Sequence, residues 1–372
     1  MMIRKHLTLR FTTLILIAFA CQSCANSKND WTIEYRGKQT KLFTLKNPNN
    51  LEVTITNYGG KVVSLIVPDK NGKFEDIVLG YDNIDETIKG NLYFGALIGR
   101  YGNRIANGEF RIDGEEYTLQ TNNGANALHG GEVGYNDVVW DAKQEGNTLV
   151  LKHFDQDGHE GYPGNLNVEV IYELTDNNEL KISYNATTDK ATPINLTHHS
   201  FFNLKGAGNG TILDHKLMIN ADRYNSIDSG LIPTGELAMV KGTPFDFTSP
   251  TAIGKNINAD NQDIKNGYGF DHNWVLNGEI GKMKLAARVV EPENGRVMEV
   301  YTTEPGLQFY AGNFLNGSDV GKVGKKYEYR TAFCLETQHF PNSPNQENFP
   351  NTILRPGETY YSVTNYKFGV VK

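Results

Sequence analysis

The chain has 372 residues, with 36 basic and 43 acidic side chains and a formal charge of −7. That balance excludes the basic face nucleic acid requires, so no nucleic-acid partner is expected. The 38 Gly and 13 Pro imply many turns and favour a β protein over a helical one.

Residues 1–20 join a basic start, "MMIRKHLTLR", to the apolar stretch "FTTLILIAFA". The stretch is too short to span a bilayer, and the order basic, apolar, cysteine resembles a bacterial lipoprotein signal. Cleavage before Cys21, with Cys24 as the alternative, is expected to leave a lipidated terminus and a tether over 21–30. Ordinary signal-peptidase cleavage nearby is the competing reading. Either route gives an exported protein, periplasmic or anchored to the outer membrane of a bacterium, which meets the membrane only through lipid. Cys334 is the sole cysteine beyond this region, which excludes an internal disulfide framework in the mature domain.

Residues 31–372 show no linker and no internal repeat, and read as one domain. Strand-like runs follow in order: "LEVTITNYGGKVVSLIVP", "FRIDGEEYTLQ", "NTLVLKHF" and "NVEVIYELTDNNELKISYNATTD". The last is a hairpin in outline, turning at Asp176–Asn178. Further strands are expected near 194–204, 215–220, 284–290, 297–303, 306–314, 328–338 and 360–368. No segment of twelve or more residues carries a 3.6-residue apolar stripe. "GAGNG" (206–210) has no helix after it, and "GKVGKK" (321–326) lacks the Ser or Thr of a phosphate loop, so both read as turns. The fold class is all-β, a large antiparallel sandwich of twisted sheets.

Among these strands, "FCLETQHFPN" (333–342) carries an acid where an apolar run should continue. If Tyr329–Gln338 is one strand, Tyr329, Thr331, Phe333 and Leu335 share the packing face. Glu336 then faces the other way with Arg330, Ala332, Cys334 and Gln338. Small neighbours leave room beside the carboxylate, and apolar walls would raise its pKa towards that of a useful proton acceptor. A buried salt bridge to Arg330 or another cation is the plainer alternative. In "TPINLTHHSFFNL" (192–204) adjacent histidines must point to opposite faces. His199 shares the polar side with Asn195, Thr197 and Asn203; His198 reads as a core histidine bonded to backbone. Neighbours on opposite faces cannot share one ion, and no H-x-H or H-E-x-x-H spacing occurs elsewhere, so no metal is expected.

Four further segments add polar and aromatic groups: "IGRYGNRIANGEF" with Arg100, Asn103 and Arg104; "ALHGG" with His129; "GYGFDHNWVL" with Asp271 and Trp274; and "GLQFYAGNFL" with Gln308. Singly each is a turn or salt bridge. Together they suit a sugar, whose hydroxyls take hydrogen bonds while its C–H faces stack on rings.

The segments "GRYGNRIANGEF", "NALHGG", "NLTHHSFFNL", "GFDHNW", "GLQFYAGNFL" and "ETQHFPNSPNQENFP" occur in an order and spacing that resembles the aldose 1-epimerase (galactose mutarotase) family across almost the whole mature chain. The resemblance implies a galactose mutarotase-like antiparallel β supersandwich and a cofactor-free proton transfer on free aldohexoses such as galactose and glucose. By motif position it implies Glu336 as general base and His199 as general acid. Asn103, Arg104, His129, Asp271 and Gln308 match its sugar-binding positions. The chain departs from many members in having His198 before the catalytic histidine, and His339 and Phe340 after "ETQ". A monomer is expected, with a bell-shaped pH profile in which the glutamate is ionised and the histidine protonated. A glycosidase using Glu336 and Asp271, a mutarotase of phosphorylated sugars and a non-catalytic lectin are the competing classes.

Overall fold

The computed structural model describes residues 31–91 and 93–371. The expected signal segment and tether, with Cys21 and Cys24, lie outside the described residues. Three antiparallel sheets dominate, of nine, five and four strands. The described helices are short; the α-helices are Ile84–Lys89 and Gln262–Asn266, capped by the side chains of Asn83 and Asn261. No helix among the described residues is long and apolar enough to cross a membrane.

The strands form where apolar residues recur at every second position. In Leu166–Leu174, the side chains of Leu166, Val168, Val170, Tyr172 and Leu174 are buried while those between them are not. Glu179–Thr188 pairs with this strand as the expected hairpin, with Leu174 opposite Leu180. Asn178 takes the left-handed conformation, φ +62°, that closes the turn. Each large apolar side chain so buried contributes about 1.5–3 kcal/mol before entropy is charged against it. One continuous core unites the sheets: Val53 and Leu65 of the four-stranded sheet, Val170, Ile182 and Tyr366 of the nine-stranded, and Leu307, Phe309 and Leu335 of the five-stranded.

Short strands carry the polar groups of interest: β1 (Ala96–Ile98), β2 (Arg104–Ile105), β3 (Ala127–Leu128), β4 (Thr197–His199), β5 (Asp271–Leu276), β6 (Gly306–Tyr310) and β7 (Cys334–Gln338). The five-stranded sheet runs Pro233–Met239, Ala221–Ile227, β5, β6, β7. Its register sets Asn273, Gln308 and Glu336 side by side, with Asp271, Tyr310 and Cys334 in the next row. Gly306 sits beside this row because a Cβ there would come within 2.5 Å of Asn273 Oδ1. Outside the sheet, β4 pairs with β1 and β3 with β2.

Three expected strands are shorter than their patterns suggest, the one over 306–314 ending at Tyr310. Within 194–204 only Thr197–His199 is a named strand, since Phe202 leaves the line to bridge both Val78 and Phe333. The strand expected from Tyr329 starts at Cys334, because Arg330 has φ +58° and cannot continue an extended chain. The Arg330 guanidinium donates to Asn258 Oδ1 and the Tyr268 carbonyl. Glu336 is therefore not its salt-bridge partner.

Candidate active site

The polar face of β5–β7 forms one wall of a cavity of about 410 Å³, within the range of small-molecule sites. Its lining brings together the seven residues that the family motifs assign: Asn103, Arg104, His129, His199, Asp271, Gln308 and Glu336. They come from six separate stretches of chain. Trp274 is not among them. It points to the opposite face of β5, fully buried, with its indole N–H donating to the Phe245 carbonyl.

Glu336 is 2% exposed. Burial first, and the Asp271 carboxylate second, push its pKa well above the ordinary carboxyl range against the pull of Arg104. Its Oε1 stands 3.5 Å from His199 Nε2, while Oε2 has no hydrogen-bond partner among the described residues. His199 lies flat against Phe201, with ring centres 4.9 Å apart, and stacks on Tyr93 at 5.7 Å. Burial lowers its pKa to about 4. Burial thus favours the uncharged form of each residue.

His198 faces the core, as its place in the alternation requires. Its partners are side chains rather than backbone: Ser200 Oγ at 2.6 Å from Nε2 and the Tyr172 hydroxyl at 3.3 Å from Nδ1.

His129 is set by its neighbours. The Asn103 amide donates to its Nδ1 at 3.1 Å, and its own amide donates back to the Asn103 carbonyl. Both residues have positive φ, +64° for Asn103 and +55° for His129. Gly130 follows at φ +92°, where a Cβ would lie 1.9 Å from the Gly99 carbonyl oxygen. The "HGG" sequence is thus the price of turning the chain immediately behind the imidazole. Burial keeps His129 neutral. With Nδ1 accepting, its proton sits on Nε2 and that nitrogen is a donor.

Ligand atoms of His129, His199 and Glu336 lie within 4.8 Å of one another, a spacing that would suit a metal ion. The Asn103 bond speaks against that use. A metal ligand needs a free lone pair, and His129 Nε2 carries hydrogen.

Arg104 donates to Asn123 Oδ1 through Nε at 3.0 Å. Gln308 donates to Asp271 Oδ1 at 2.7 Å. Burial raises the Asp271 carboxyl while Arg104 and Gln308 draw it back. Asn103 uses its side-chain oxygen on the Arg104 amide at 2.9 Å, so only its NH₂ is left for a ligand.

Tyr93 and Asn123 also line the cavity and carry no signal in their sequence context. Each belongs to a stretch without strand alternation, and only folding sets it against the sheet. Cys334, read as leaving space beside the acid, instead touches His199, Sγ to Nδ1 3.5 Å.

A family model described as aldose 1-epimerase matches residues 41–367. Human galactose mutarotase is 46% identical over 320 residues, 86% of this chain and 92% of its own. The bovine galactose mutarotase is 45% identical over 87% of this chain and 92% of its own. Aldose 1-epimerase of Escherichia coli K12 is 38% identical over 89% of this chain and 96% of its own. Among solved structures, an aldose epimerase homologue from C. elegans superposes with a TM-score of 0.82 at 30% identity, covering 90% of this chain and all of that one. A galactose 1-epimerase from Lactobacillus acidophilus NCFM gives 0.80 at 30% identity, over 91% of this chain and 97% of that one. The β supersandwich expected from the sequence is the fold of these neighbours. The expected location is overturned by the same relatives: at 44–47% identity the chain matches mammalian galactose mutarotases, not lipoproteins of a bacterial envelope.

Proposed function

The chain belongs to the aldose 1-epimerase family and is a mutarotase, and we propose that Glu336 and His199 are the base and acid with which it interconverts the anomers of free galactose and glucose. The observation that carries the assignment is the 3.5 Å approach of Glu336 Oε1 to His199 Nε2 inside a cavity of sugar size. The anomeric hydroxyl and the ring oxygen are both bonded to C1, so an acid and a base that serve them must be neighbours.

The glutamate takes the proton from O1 while the histidine gives one to O5. The C1–O5 bond breaks and a free aldehyde forms. Rotation about C1–C2 presents the other carbonyl face, and the two transfers run backwards to close the opposite anomer. Each transfer group contributes about 10²–10⁴ in rate. Arg104 and the Nε2–H of His129 are the donors for oxygen that gains charge as the ring opens. Asp271, Gln308 and the amide of Asn103 hold the remaining hydroxyls. All these groups lie within residues 31–372, which supports one catalytic domain over that span.

Polarimetry on freshly dissolved α-D-galactose tests the reading. The protein should speed the drift to equilibrium without moving its end point. A methyl glycoside, whose O1 carries no proton, should be left intact. Hydrolysis of that glycoside, or no acceleration with either sugar, would overturn it.

A further inference from the structure

The His199 ring is suspended between two side chains of a single strand. Its Nε2 meets Glu336 Oε1 and its Nδ1 meets Cys334 Sγ, both at 3.5 Å. Cys334 and Glu336 are two apart on β7 and so share one face. Cys334 is fully buried and does not line the cavity. It touches the proposed acid from behind, where no sugar reaches.

We propose that Cys334 is a positioning residue for His199: its sulfur takes the Nδ1–H, which leaves Nε2 as the one nitrogen that exchanges a proton. This rests on the assignment of His199 as the acid. An imidazolium that gives its Nε2 proton to the ring oxygen must keep the other on Nδ1. That proton needs an acceptor behind the ring, and the sulfur is there.

The choice of sulfur has a chemical consequence. Burial, with Glu336 and Asp271 nearby, pushes the thiol pKa well up, so the group stays neutral. A carboxylate behind Nδ1 would stabilise the imidazolium and weaken it as an acid. A neutral, weakly accepting thiol fixes the tautomer and leaves the imidazolium strongly acidic. A ring ether oxygen is a poor base, so a strong acid is what the step requires.

The test combines kinetics with ¹⁵N NMR of the histidines in Cys334→Ala and Cys334→Ser. In the wild type His199 should titrate as the Nδ1–H tautomer. Alanine should let the Nε2–H form appear and lower kcat about tenfold with KM unchanged, because the sugar does not touch this position. Serine, which can also accept, should keep the Nδ1–H form and recover most of the rate. A His199 that is Nε2–H in the wild type, with the thiol as donor, would overturn the proposal. So would unchanged ¹⁵N shifts in Cys334→Ala, or a changed tautomer with wild-type kcat. His199→Asn at near-normal turnover would instead sink the acid assignment, and the ¹⁵N shifts separate the two failures. If the alanine variant does not fold, the wild-type spectrum and the serine variant still decide.

Discussion

Glu336 Oε1 and His199 Nε2 stand 3.5 Å apart, both nearly sealed from solvent, with the glutamate shifted towards its protonated form and the histidine towards its neutral one. Both are thereby held towards their uncharged forms. Burial disfavours both charges at once, and neither residue behaves as it would alone.

The pH profile follows from this coupling, and its limbs exchange owners relative to the sequence expectation. Activity needs one proton on the pair. A second proton goes to the histidine, so kcat/KM should fall as pH drops through about 4. On the alkaline side the rate falls when the last proton leaves, which burial and Asp271 delay well past the usual carboxyl range. The predicted curve is a bell, measured by polarimetry in dilute buffers that suppress background mutarotation. A rate that keeps climbing through the alkaline range contradicts a shared proton.

Glu336→Gln preserves shape and removes the base. Its kcat should drop by at least about two powers of ten, with a smaller effect on KM. Arg104→Ala should raise KM as well, because its side chain lines the cavity beside the Asp271 and Glu336 carboxylates. Initial rates over a range of fresh α-D-glucose separate the two effects. Near-normal turnover in Glu336→Gln would reduce this carboxylate to a structural group.

Exhaustive chelation should leave the rate unchanged. The reason is the Asn103 amide on His129 Nδ1, which commits Nε2 to hydrogen. Loss of activity on chelation, restored by one divalent ion, would mean that this hydrogen bond gives way to coordination.

Stability should depend on a second buried cluster. Asp155 accepts from Arg100 Nε at 2.9 Å and from the Tyr135 hydroxyl at 2.9 Å, and pairs with His159 at 2.7 Å. Asp155→Ala leaves the Arg100 charge buried without its partner and should cost about 3–5 kcal/mol, read from urea unfolding. Burial opposes the Asp155 charge, but His159 and Arg100 outweigh it, so its folded pKa lies below 3.8. That contribution is present above 3.8 and lost as pH falls through the folded value. His159 is raised above 6.5 by Asp155, so its share is full below 6.5 and lost as pH rises through its folded value. The cluster should stabilise most between about pH 4 and 6.5. An Asp155→Ala deficit that does not vary with pH would contradict that account.

Much of this protein was legible in its sequence because strand alternation is local. Two residues share a face or they do not, and "LNVEVIYEL" or "DHNWVL" declares which. The same rule separated His199 from His198, and the ordered motifs carried the family and its seven site positions. The location read from residues 1–20 did not hold against the mammalian relatives. What the sequence could not hold is distance. Arg330 lies six residues from Glu336 on an apparent strand, yet a left-handed φ at Arg330 sends it elsewhere. His129 and His199 are seventy residues apart in the chain, and their rings meet at 5.2 Å. Tyr93 is pressed against both. Whether the glutamate and the histidine share a proton depends on how deeply the five-stranded sheet and the short strand pairs β1–β4 and β2–β3 bury them together, and only tertiary packing sets that.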